Sequence, residues 1–480
     1  MCVESEPSPK RKGKTPGNMA RSPRRRYRAN MFLAALLSAR SEERIARYFG
    51  ASPVRLVLRV GLLIAIVGGL ACGGSDSVAR NEAPAAPTNP STNVACDAGN
   101  GGITLPPGFC ATVFADGIGS PRHIVVTPNG GTVYTMLSGG AILALSDTNL
   151  DGRSDARASF GRQGNTGLFL RGTELYADHG SYIARYHLTP DALLPASQID
   201  TIVRGLPAGG HTSRSIVIDG SGNLFVGIGS ASNICEGSQK DPCGELPTRA
   251  GVWRFDANKT GQTFSPSARF ATGIRNAVGL AIQPIVGALF VTQHGRDNLY
   301  QSFPTLFTSA DGAENPAEEL LQVNQGDDFG WPYCYYDQRA GKLVLGPEYG
   351  GNRSTVGRCA GAKSPVTTFP GHWAPNALAF YSGRSFPEHY RNGAFIAFHG
   401  SWNRAPQPQA GFLVAFVPST VNQLVADYEV FASGFAGSST ITSDNQAAHR
   451  PTGLAVDSTG ALYITDDAHG RIWRVIYRGK

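Results

Sequence analysis

Short apolar runs separated by polar turns recur along the chain after residue 105. Each run holds four to six residues and is rich in Val, Ile, Leu, Phe and Tyr. That length and composition are typical of β-strands and too short for helices. Pairs such as Asn129-Gly130 and Asp219-Gly220 mark the turns. A unit of three runs returns six times, at residues 123–147, 166–188, 214–256, 278–323, 377–417 and 452–477.

Six similar units of short strands predict an all-β fold, a six-bladed β-propeller. A β-sandwich is the alternative architecture, but it does not explain six similar units. The segment Phe109–Ala115 is predicted to add an outer strand to the last blade and so to close the ring. Long insertions at 231–250 and 301–376 are predicted to be loops. Loops on one face of a propeller commonly build its functional site.

Composition excludes two other structural classes. The 480 residues include 59 Gly and 31 Pro, and only 16 % are charged. A long helical or coiled-coil protein is richer in Glu, Lys and Ala and poorer in Gly. Glycine has no period of three, which excludes a collagen-like chain.

The net charge of +7 is concentrated at the start of the chain. Residues 1–59 hold 14 Lys or Arg and four Glu, whereas residues 72–480 carry a net charge of −3. A nucleic-acid-binding domain keeps its positive charge on the folded body. The sequence therefore predicts no nucleic-acid partner.

An apolar segment indicates export. Val60 to Ala71 are twelve uncharged, mostly apolar residues that follow Arg55 and Arg59. A membrane-spanning helix needs about twenty residues, so this length fits the core of a secretory signal. Cys72 follows at once, and Gly69-Leu70-Ala71-Cys72 resembles a lipoprotein processing site, although Leu is usual where Gly69 stands. An ordinary cleavage site beside a chance cysteine is the alternative.

These features predict three segments. Residues 1–72 are a leader, with Met19 or Met31 as alternative starts, and residues 73–95 are a flexible linker. Residues 96–480 are the propeller domain. The protein is predicted to be exported and periplasmic, with a possible lipid anchor at Cys72 that makes it a membrane-anchored lipoprotein.

The cysteines of the predicted domain fall into three sequence-local pairs. An exported protein can keep disulfides. The sequence contains no CxxC motif, so a zinc cluster is not expected. The predicted disulfides are Cys96–Cys110, Cys235–Cys243 and Cys334–Cys359.

One loop has the spacing of a calcium site. Its oxygen ligands would be at relative positions 1, 3, 5 and 9, with Gly152 at position 6, as at the start of an EF-hand loop. Ala158 stands where the usual Glu is expected, and a polar β-turn is the alternative. The predicted structural calcium ligands are Asp147, Asn149, Asp151 and Asp155.

Basic side chains stand where several units begin or turn. His211 precedes the third unit and can act as a general base, and Arg275 precedes the fourth unit and can bind a carboxylate or an oxyanion. The segment His399 to Arg404 and the pair His449-Arg450 belong to the fifth and sixth units. Cations that meet at one axis suit an anionic ligand. Taken singly, each residue is also consistent with a structural hydrogen bond.

Together these segments resemble the soluble quinoprotein sugar dehydrogenases, the glucose/sorbosone dehydrogenase family that uses pyrroloquinoline quinone (PQQ). The resemblance runs from Leu105 to the C-terminus. Its most specific pieces are His211 with Arg214, Arg275-Asn276, Gln293-His294-Gly295, Phe329-Gly330-Trp331-Pro332 and the segment HGSWNR at 399–404.

The resemblance implies a mechanism and a cofactor site. A histidine at the position of His211 takes a proton from the C1 hydroxyl of the sugar, and hydride passes to the quinone. Arg275 polarises the quinone oxygen, and a Ca²⁺ ion is held by PQQ and by backbone carbonyls around His294 and Gly295. The implied cofactor-binding residues are Arg214, Asn276, Gln293, His399, Arg404, His449 and Arg450.

The chain departs from the glucose-oxidising members at three points. Thr212-Ser213 replace a Gly-Gly pair, and Arg296 follows Gly295 where those members have Pro. Their Lys in the fifth unit is replaced by HGSWNR, so His399 or Arg404 is predicted to take its role. These departures resemble the sorbosone or pyranose dehydrogenase branch.

The sequence therefore predicts a PQQ- and Ca²⁺-dependent aldose or pyranose dehydrogenase. Because no CxxCH haem motif is present, electrons are predicted to pass to an external acceptor, a quinone or a cytochrome. A Ca²⁺-dependent lactonase-like hydrolase is one alternative function, and a non-catalytic propeller that binds carbohydrate or protein is the other.

Overall fold

A computed structural model describes residues 94–479, except 129, 191, 238, 239, 421 and 422. The predicted leader at 1–72 and most of the linker at 73–95 lie outside the described residues. The last two linker residues pack on the domain. Val94 is buried, and the Ala95 carbonyl accepts a hydrogen bond from the Thr112 hydroxyl (2.9 Å).

Six sheets follow one another along the chain, each built of four antiparallel strands. Blade 1 contains Pro121–Val126, Thr132–Leu137, Ile142–Ser146 and Ala156–Phe160. Blade 2 contains Leu168–Arg171, Glu174–Asp178, Tyr182–His187 and Ile199–Arg204. Blade 3 contains Ile216–Ile218, Asn223–Ile228, Gly251–Asp256 and Arg269–Thr272. A short strand from blade 3, Gln262–Thr263, adds in parallel to the outer edge of blade 2.

The second half of the chain repeats this arrangement. Blade 4 contains Ala277–Ile282, Leu289–Gln293, Glu318–Val323 and Thr367–Phe369. Blade 5 contains Pro375–Phe380, Ala394–Phe398, Leu413–Val417 and Glu429–Ala432. Blade 6 contains Pro451–Val456, Leu462–Asp466, Arg471–Tyr477 and Phe109–Ala115. The first strand of each blade contacts the first strands of both neighbouring blades, and blade 6 returns to blade 1. The predicted six-bladed propeller is confirmed.

The predicted ring closure is also confirmed. Phe109–Ala115 pairs antiparallel with Arg471–Tyr477, with Phe109 opposite Tyr477. Phe109 then packs edge-to-face on Phe386 and Phe431 of blade 5. The first and last strands of the described chain therefore share one blade and one aromatic core.

The outer strands of blades 1 to 5 escaped the sequence pattern. Ala156–Phe160, for example, alternates between half-buried and exposed residues and carries no apolar run. An outermost strand packs one face on the next strand and shows its edge to solvent, so it needs few large apolar residues.

Smaller elements fill the long insertions. Helix α1 is Leu299–Ser302 and helix α2 is Ser309–Glu314, with a capping box formed by Thr308 and Asp311. Two hairpins pair Cys334–Asp337 with Lys342–Leu345 and Ser419–Thr420 with Gln423–Leu424. The 3₁₀ helices are Ala98–Gly102, Pro266–Ala268, Pro347–Tyr349, Gly357–Gly361, Glu388–Tyr390 and Asp444–Gln446.

The three predicted disulfides, Cys96–Cys110, Cys235–Cys243 and Cys334–Cys359, are all formed. The second disulfide lies within the long insertion of blade 3, and the third lies within the long insertion of blade 4. Within the described part of the chain, no helix has the length and apolarity that crossing a bilayer requires.

Candidate active site

The basic side chains singled out in the sequence reach one face of the propeller. In an antiparallel hairpin the first strand begins, and the second strand ends, at the same edge of the sheet. His211 and Arg275 precede the first strands of blades 3 and 4, and His294 and His399 follow the second strands of blades 4 and 5. The blade order therefore collects them around the axis.

His211 is held in one tautomer and one orientation. Its Nδ1 lies 3.0 Å from both the carbonyl and the hydroxyl oxygen of Ser230. A carbonyl only accepts, so Nδ1 carries the proton and Nε2 keeps its lone pair. Burial, and then the charge of Arg275, lowers the pKa of His211 below its usual 6.5. The imidazole is therefore a neutral base at neutral pH.

A glycine brings His211 and Asn276 together. A Cβ atom at Gly229 would lie 2.6 Å from the His211 Cβ and 2.9 Å from the Asn276 Oδ1. Any side chain at position 229 would push the two groups apart. The Asn276 Oδ1 is buried and has no hydrogen-bond partner among the described residues.

Arg275 is buried and bonded to two loops, one in blade 3 and one in blade 4. Its Nε donates to the Asn233 carbonyl (3.1 Å), its Nη1 to the Gly295 carbonyl (2.8 Å), and its Nη2 to Asp297 Oδ2 (2.8 Å) and Asn233 Oδ1 (3.0 Å). Four of five N–H groups are thus engaged, and one on Nη1 has no partner within the described residues. The guanidinium is fixed before any ligand arrives.

Two partners of Arg275 were missed by sequence reasoning. Asn233 stands in the long loop between the second and third strands of blade 3, two residues before the Cys235–Cys243 disulfide, and its carbonyl also accepts from the Trp331 indole at 3.0 Å. Asp297 accepts from Arg275 and, at 2.6 Å, from the Asn403 amide of blade 5. Neither residue belongs to a motif, so only its place in the fold reveals it.

Two buried carboxyl groups lie beneath the loop at 293–295. Gln293 accepts from the Arg275 backbone N–H (3.1 Å) and donates to Glu319 (2.5 Å). Glu318 accepts from the Gly295 N–H at 3.1 Å. Burial raises the pKa of Glu318 to about 8 and that of Glu319 to about 7. The signal in the sequence was a strand, EELLQV, that opens with two carboxylates where apolar residues were expected.

His294 lies in electrostatic contact with other basic side chains. Burial first, then the charges of Arg275, His211 and His399, lowers its pKa to about 3. Its Nε2 is buried without a hydrogen-bond partner in the described chain. His294 is therefore a neutral side chain that interacts with groups of blades 3, 4 and 5.

Arg214 is buried beside a carboxyl group of blade 2. Its Nη2 donates to the Pro207 carbonyl (2.6 Å), and its Nε lies 3.6 Å from Asp178 Oδ1. Burial, against the opposing charge of Arg214, raises the pKa of Asp178 to about 6. The Nε and Nη1 atoms of Arg214 are buried and find no acceptor among the described residues.

His399 and Arg450 join blades 5, 6 and 1. The His399 Nε2 donates to Asp467 Oδ1 (2.7 Å), and Arg122 binds the other oxygen of Asp467 at 2.6 Å. Although burial opposes it, the pKa of Asp467 falls to about 2, chiefly because of His399. Arg450 donates from Nε to the His399 carbonyl (3.1 Å) and forms an ion pair with Asp444.

Within the described residues, no hydrogen bond, ion pair or ring contact joins Arg404 or His449 to His211. Arg404 binds the Gly371 carbonyl at 3.0 Å and Glu314 of helix α2 at 2.5 Å. His449 is bonded to Asp466 at 2.7 Å and packs on Trp473. Their predicted cofactor contacts stay predictions.

The loop at 147–155 satisfies its own polar groups. The Asp147 carboxylate accepts from the N–H groups of Asp151 (3.1 Å) and Gly152 (2.8 Å), and Asn149 also accepts from Asp151. Asp155 accepts from Thr148. Among the described residues, the carboxylates of this loop do not form a three-ligand cluster, so calcium binding by Asp147, Asn149, Asp151 and Asp155 stays a prediction.

The closest set of potential metal ligands in the described chain lies elsewhere. His449, Asp466 and His469 of blade 6 place ligand atoms within 4.8 Å of one another. Both oxygens of Asp466 already accept N–H bonds, from His449, Arg450, Ala468 and His469.

Comparisons with known proteins agree with this architecture. A curated relative from Coprinopsis cinerea, a pyrroloquinoline quinone-dependent pyranose dehydrogenase, is 25 % identical over 413 residues, which cover 78 % of this chain and 52 % of the relative. The chain thus spans about half the length of that relative. A pyrroloquinoline quinone-dependent sugar dehydrogenase from Hypocrea jecorina is 23 % identical over 377 residues, covering 73 % of this chain and 79 % of the relative.

A solved structure shares the fold. The holo form of the pyranose dehydrogenase PQQ domain from Coprinopsis cinerea superposes with a TM-score of 0.64 at 21 % identity. The match covers 78 % of this chain and 97 % of that domain.

A family model confirms the resemblance that the sequence motifs indicated. The TrAA12-like model matches residues 103–478, a range that contains all six blades. The chain belongs to the TrAA12-like family.

Proposed function

We propose that this protein oxidises an aldose or pyranose at C1, with bound PQQ as the oxidant and an external quinone or cytochrome as the final electron acceptor. One observation carries the proposal. A neutral, oriented imidazole, His211, lies beside a fixed buried guanidinium, Arg275, at the axis of the propeller. The family membership and the named relatives support the same chemistry.

The residues at the axis fit an anionic quinone cofactor. Buried polar atoms without partners in the described chain include Arg214 Nε and Nη1, Asn276 Oδ1 and His294 Nε2. Leaving such atoms unpaired costs free energy, so a ligand that pairs with them is bound more tightly. Arg214, Arg275 and Arg450 offer the positive charge that carboxylates require.

Four groups would hold the cofactor. Arg214 would bind a carboxylate, Arg275 would use its remaining Nη1 N–H, and Asn276 and Arg450 would complete the contacts. When bound, PQQ supplies a two-electron oxidant that accepts hydride. The chain itself supplies orientation, charge and the base.

His211 performs the proton transfer. The O–H bond of the C1 hydroxyl would break and its proton move to Nε2, and the electron pair left on oxygen would form the second C1–O bond of a lactone. The C1 hydrogen would leave with its electron pair as hydride, for which bound PQQ would be the acceptor. The Ser230 carbonyl holds the Nδ1 proton, so the imidazolium that forms keeps its orientation. The nearby Arg275 disfavours that imidazolium, which keeps the base neutral before each turnover.

Calcium is proposed at the carbonyls of His294 and Gly295, as the resemblance implies. The Gly295 carbonyl accepts from Arg275 and retains a second lone pair for a cation.

Export and lipidation at Cys72 are likewise proposed. Cell fractionation of the full chain and of Cys72→Ala tests the lipid anchor. We expect the wild-type protein in the membrane fraction and the Cys72→Ala variant in the soluble fraction.

Titration of the purified protein with PQQ in the presence of Ca²⁺ tests the function. Quinone absorbance reports binding, and dye reduction with a panel of aldoses reports turnover. We expect saturable binding and sugar-dependent reduction, with His211→Gln abolishing reduction while PQQ still binds. His389→Ala is the matched control, because His389 is an exposed histidine paired with Glu429.

Two results would contradict the proposal. A folded protein without PQQ affinity would favour the non-catalytic binding propeller. Lactone hydrolysis that needs Ca²⁺ but not PQQ would favour the hydrolase.

A further inference from the structure

Three polar or aromatic groups at the end of blade 5 have no task in the proton transfer described above. They are Trp402 and Asn403, which follow the second strand of that blade, and Asp297 from the facing loop of blade 4. Asn403 and Asp297 are joined by a hydrogen bond of 2.6 Å.

Trp402 is the exposed aromatic of the group. It is 61 % exposed, and no hydrogen bond or ring contact joins it to another described residue. The other large apolar side chains that are exposed in the described chain are aliphatic. Single exposed apolar residues are common, so its place in the chain next to Asn403, rather than its exposure, gives it meaning.

Asn403, the next residue in the chain, holds an acceptor without a hydrogen-bond partner among the described residues. Its Nδ2 donates to Asp297 Oδ1, which fixes the amide plane, whereas its Oδ1 is buried and finds no donor among the described residues. A buried acceptor without a donor is unfavourable, and a hydroxyl group can supply the missing donor.

Asp297 connects this group to the reacting centre. Its Oδ2 binds Arg275 at 2.8 Å, and its side chain remains 23 % exposed. Its charge also acts on His211. A molecule bonded to Asn403 and Asp297 therefore lies within reach of the groups that carry the reaction.

We propose that Trp402, Asn403 and Asp297 form the subsite that holds the pyranose ring of the sugar substrate. The apolar C–H face of the ring packs on the Trp402 indole, while ring hydroxyls donate to Asn403 Oδ1 and to the exposed carboxylate edge of Asp297. An aromatic platform beside two oriented acceptors suits a polyhydroxylated ring better than a charged or wholly apolar ligand. This subsite rests on the proposed function for its role in turnover.

Calorimetric titration of the cofactor-free protein with D-glucose and with the best aldose of the panel tests the subsite directly. Trp402→Leu and Asn403→Leu are expected to weaken binding about tenfold or more, which corresponds to the loss of about 1.4 kcal/mol. Trp402→Phe keeps an aromatic face and is expected to stay within about threefold of the wild type. Leu194→Ala, at a 50 % exposed position in the blade 2 loop, is the control and should change nothing.

A second measurement covers the case in which sugar binds only with the cofactor in place. In the PQQ-loaded protein, Trp402→Leu should raise KM about tenfold while kcat changes far less, because binding rather than proton transfer is altered. An unchanged KM and unchanged calorimetric affinity would overturn the subsite. Quenching of Trp402 fluorescence by PQQ, with an unchanged KM, would also overturn it by assigning the ring to the cofactor.

Failure of the two proposals is distinguishable. If the protein does not bind PQQ but binds sugar, and Trp402→Leu loses that binding, the subsite is supported and the dehydrogenase function is contradicted. If sugar-dependent dye reduction keeps its wild-type KM in both Trp402→Leu and Asn403→Leu, the dehydrogenase function is supported and the subsite is contradicted.

Discussion

Two polar clusters of this protein, the loop at 147–155 and the axial group around Arg275, satisfy their hydrogen bonds in opposite ways. In the loop, the side-chain oxygens of the candidate calcium ligands accept from residues two to seven positions away, as Asn149 does from Asp151 and Asp155 from Thr148. Around Arg275 the bonds join residues 18 to 106 positions apart, such as Arg275 with Gln293 and Asn403 with Asp297. Local bonds complete a turn, whereas long-range bonds hold groups of several blades in fixed positions.

The comparison teaches why a motif and a site differ. The loop at 147–155 matches a ligand spacing, yet its carboxylates accept from its own backbone. The axial group matches no compact spacing, yet it leaves buried atoms of Arg214, Asn276 and His294 unpaired within the described chain. Unpaired buried groups point to a ligand more directly than spacing does.

Substitution of the base is the largest expected effect. His211→Gln removes the proton acceptor at the axis and is expected to lower kcat/KM by about 10²- to 10⁴-fold. The unfolding midpoint should move little, since glutamine can still bond to Ser230. Stopped-flow dye reduction measures the rate, and thermal unfolding is the control. A variant that keeps the wild-type rate would remove His211 from the chemistry.

Breaking the ion pair of the axial group should cost both stability and turnover. Asp297→Ala leaves the buried Arg275 without its charge partner, which is expected to lower the free energy of unfolding by about 3 kcal/mol. Asp116→Ala breaks the half-exposed pair with Arg471 and should cost less than about 1 kcal/mol. Urea unfolding of both variants measures the difference. Equal effects would show that the axial pair is no more buried in solution than the peripheral one.

The pH dependence of turnover should report the environment of His211. Its pKa is lowered by burial and by Arg275, so the neutral base persists on the acid side of 6.5. We expect kcat/KM to stay level down to below pH 6.5 and then to fall about tenfold per pH unit. An acid limb that begins above pH 6.5 would contradict this environment.

The lowered pKa of His211 also makes the free energy of unfolding depend slightly on pH. The folded protein binds this proton less readily than the unfolded chain, so the contribution of His211 is fully present above pH 6.5 and is lost as the pH falls through its folded pKa. His211→Gln should therefore flatten the dependence of unfolding free energy on pH below 6.5.

The smallest effect is expected at the loop at 147–155. Asp147→Ala removes two bonds to backbone N–H groups and should cost about 1 kcal/mol in a calcium-free buffer. Thermal unfolding with and without added Ca²⁺ measures it. A Tm that rises with Ca²⁺ in the wild type and not in Asp147→Ala would contradict the contrast between the two clusters, because the loop at 147–155 would then bind a ligand.

Much of the fold was predictable because strands and turns are local. Apolar runs and Gly or Asn turns located the inner three strands of every blade, and the paired cysteines predicted all three disulfides. The outer strands of blades 1 to 5, such as Glu429–Ala432, were not predictable, because their pairing depends on the blade that is already formed.

The site was predictable in part. Motif residues such as His211, Arg275 and His294 were located because they stand at strand ends. Asn233, Asp297 and Glu318 were missed, because they belong to insertions or to an unremarkable strand and meet the motif residues only through folding.

The sequence by itself therefore determined the six blades, the family and the residue types at the axis. Only the tertiary structure decided which polar groups are paired and which stay unpaired. The physical reason is the sequence distance over which the deciding interactions act. A strand or turn is selected by neighbours within a few residues. The hydrogen bonding of Arg275 depends instead on Asn233 and Asp297, whose positions are set when blades 3, 4 and 5 pack around one axis.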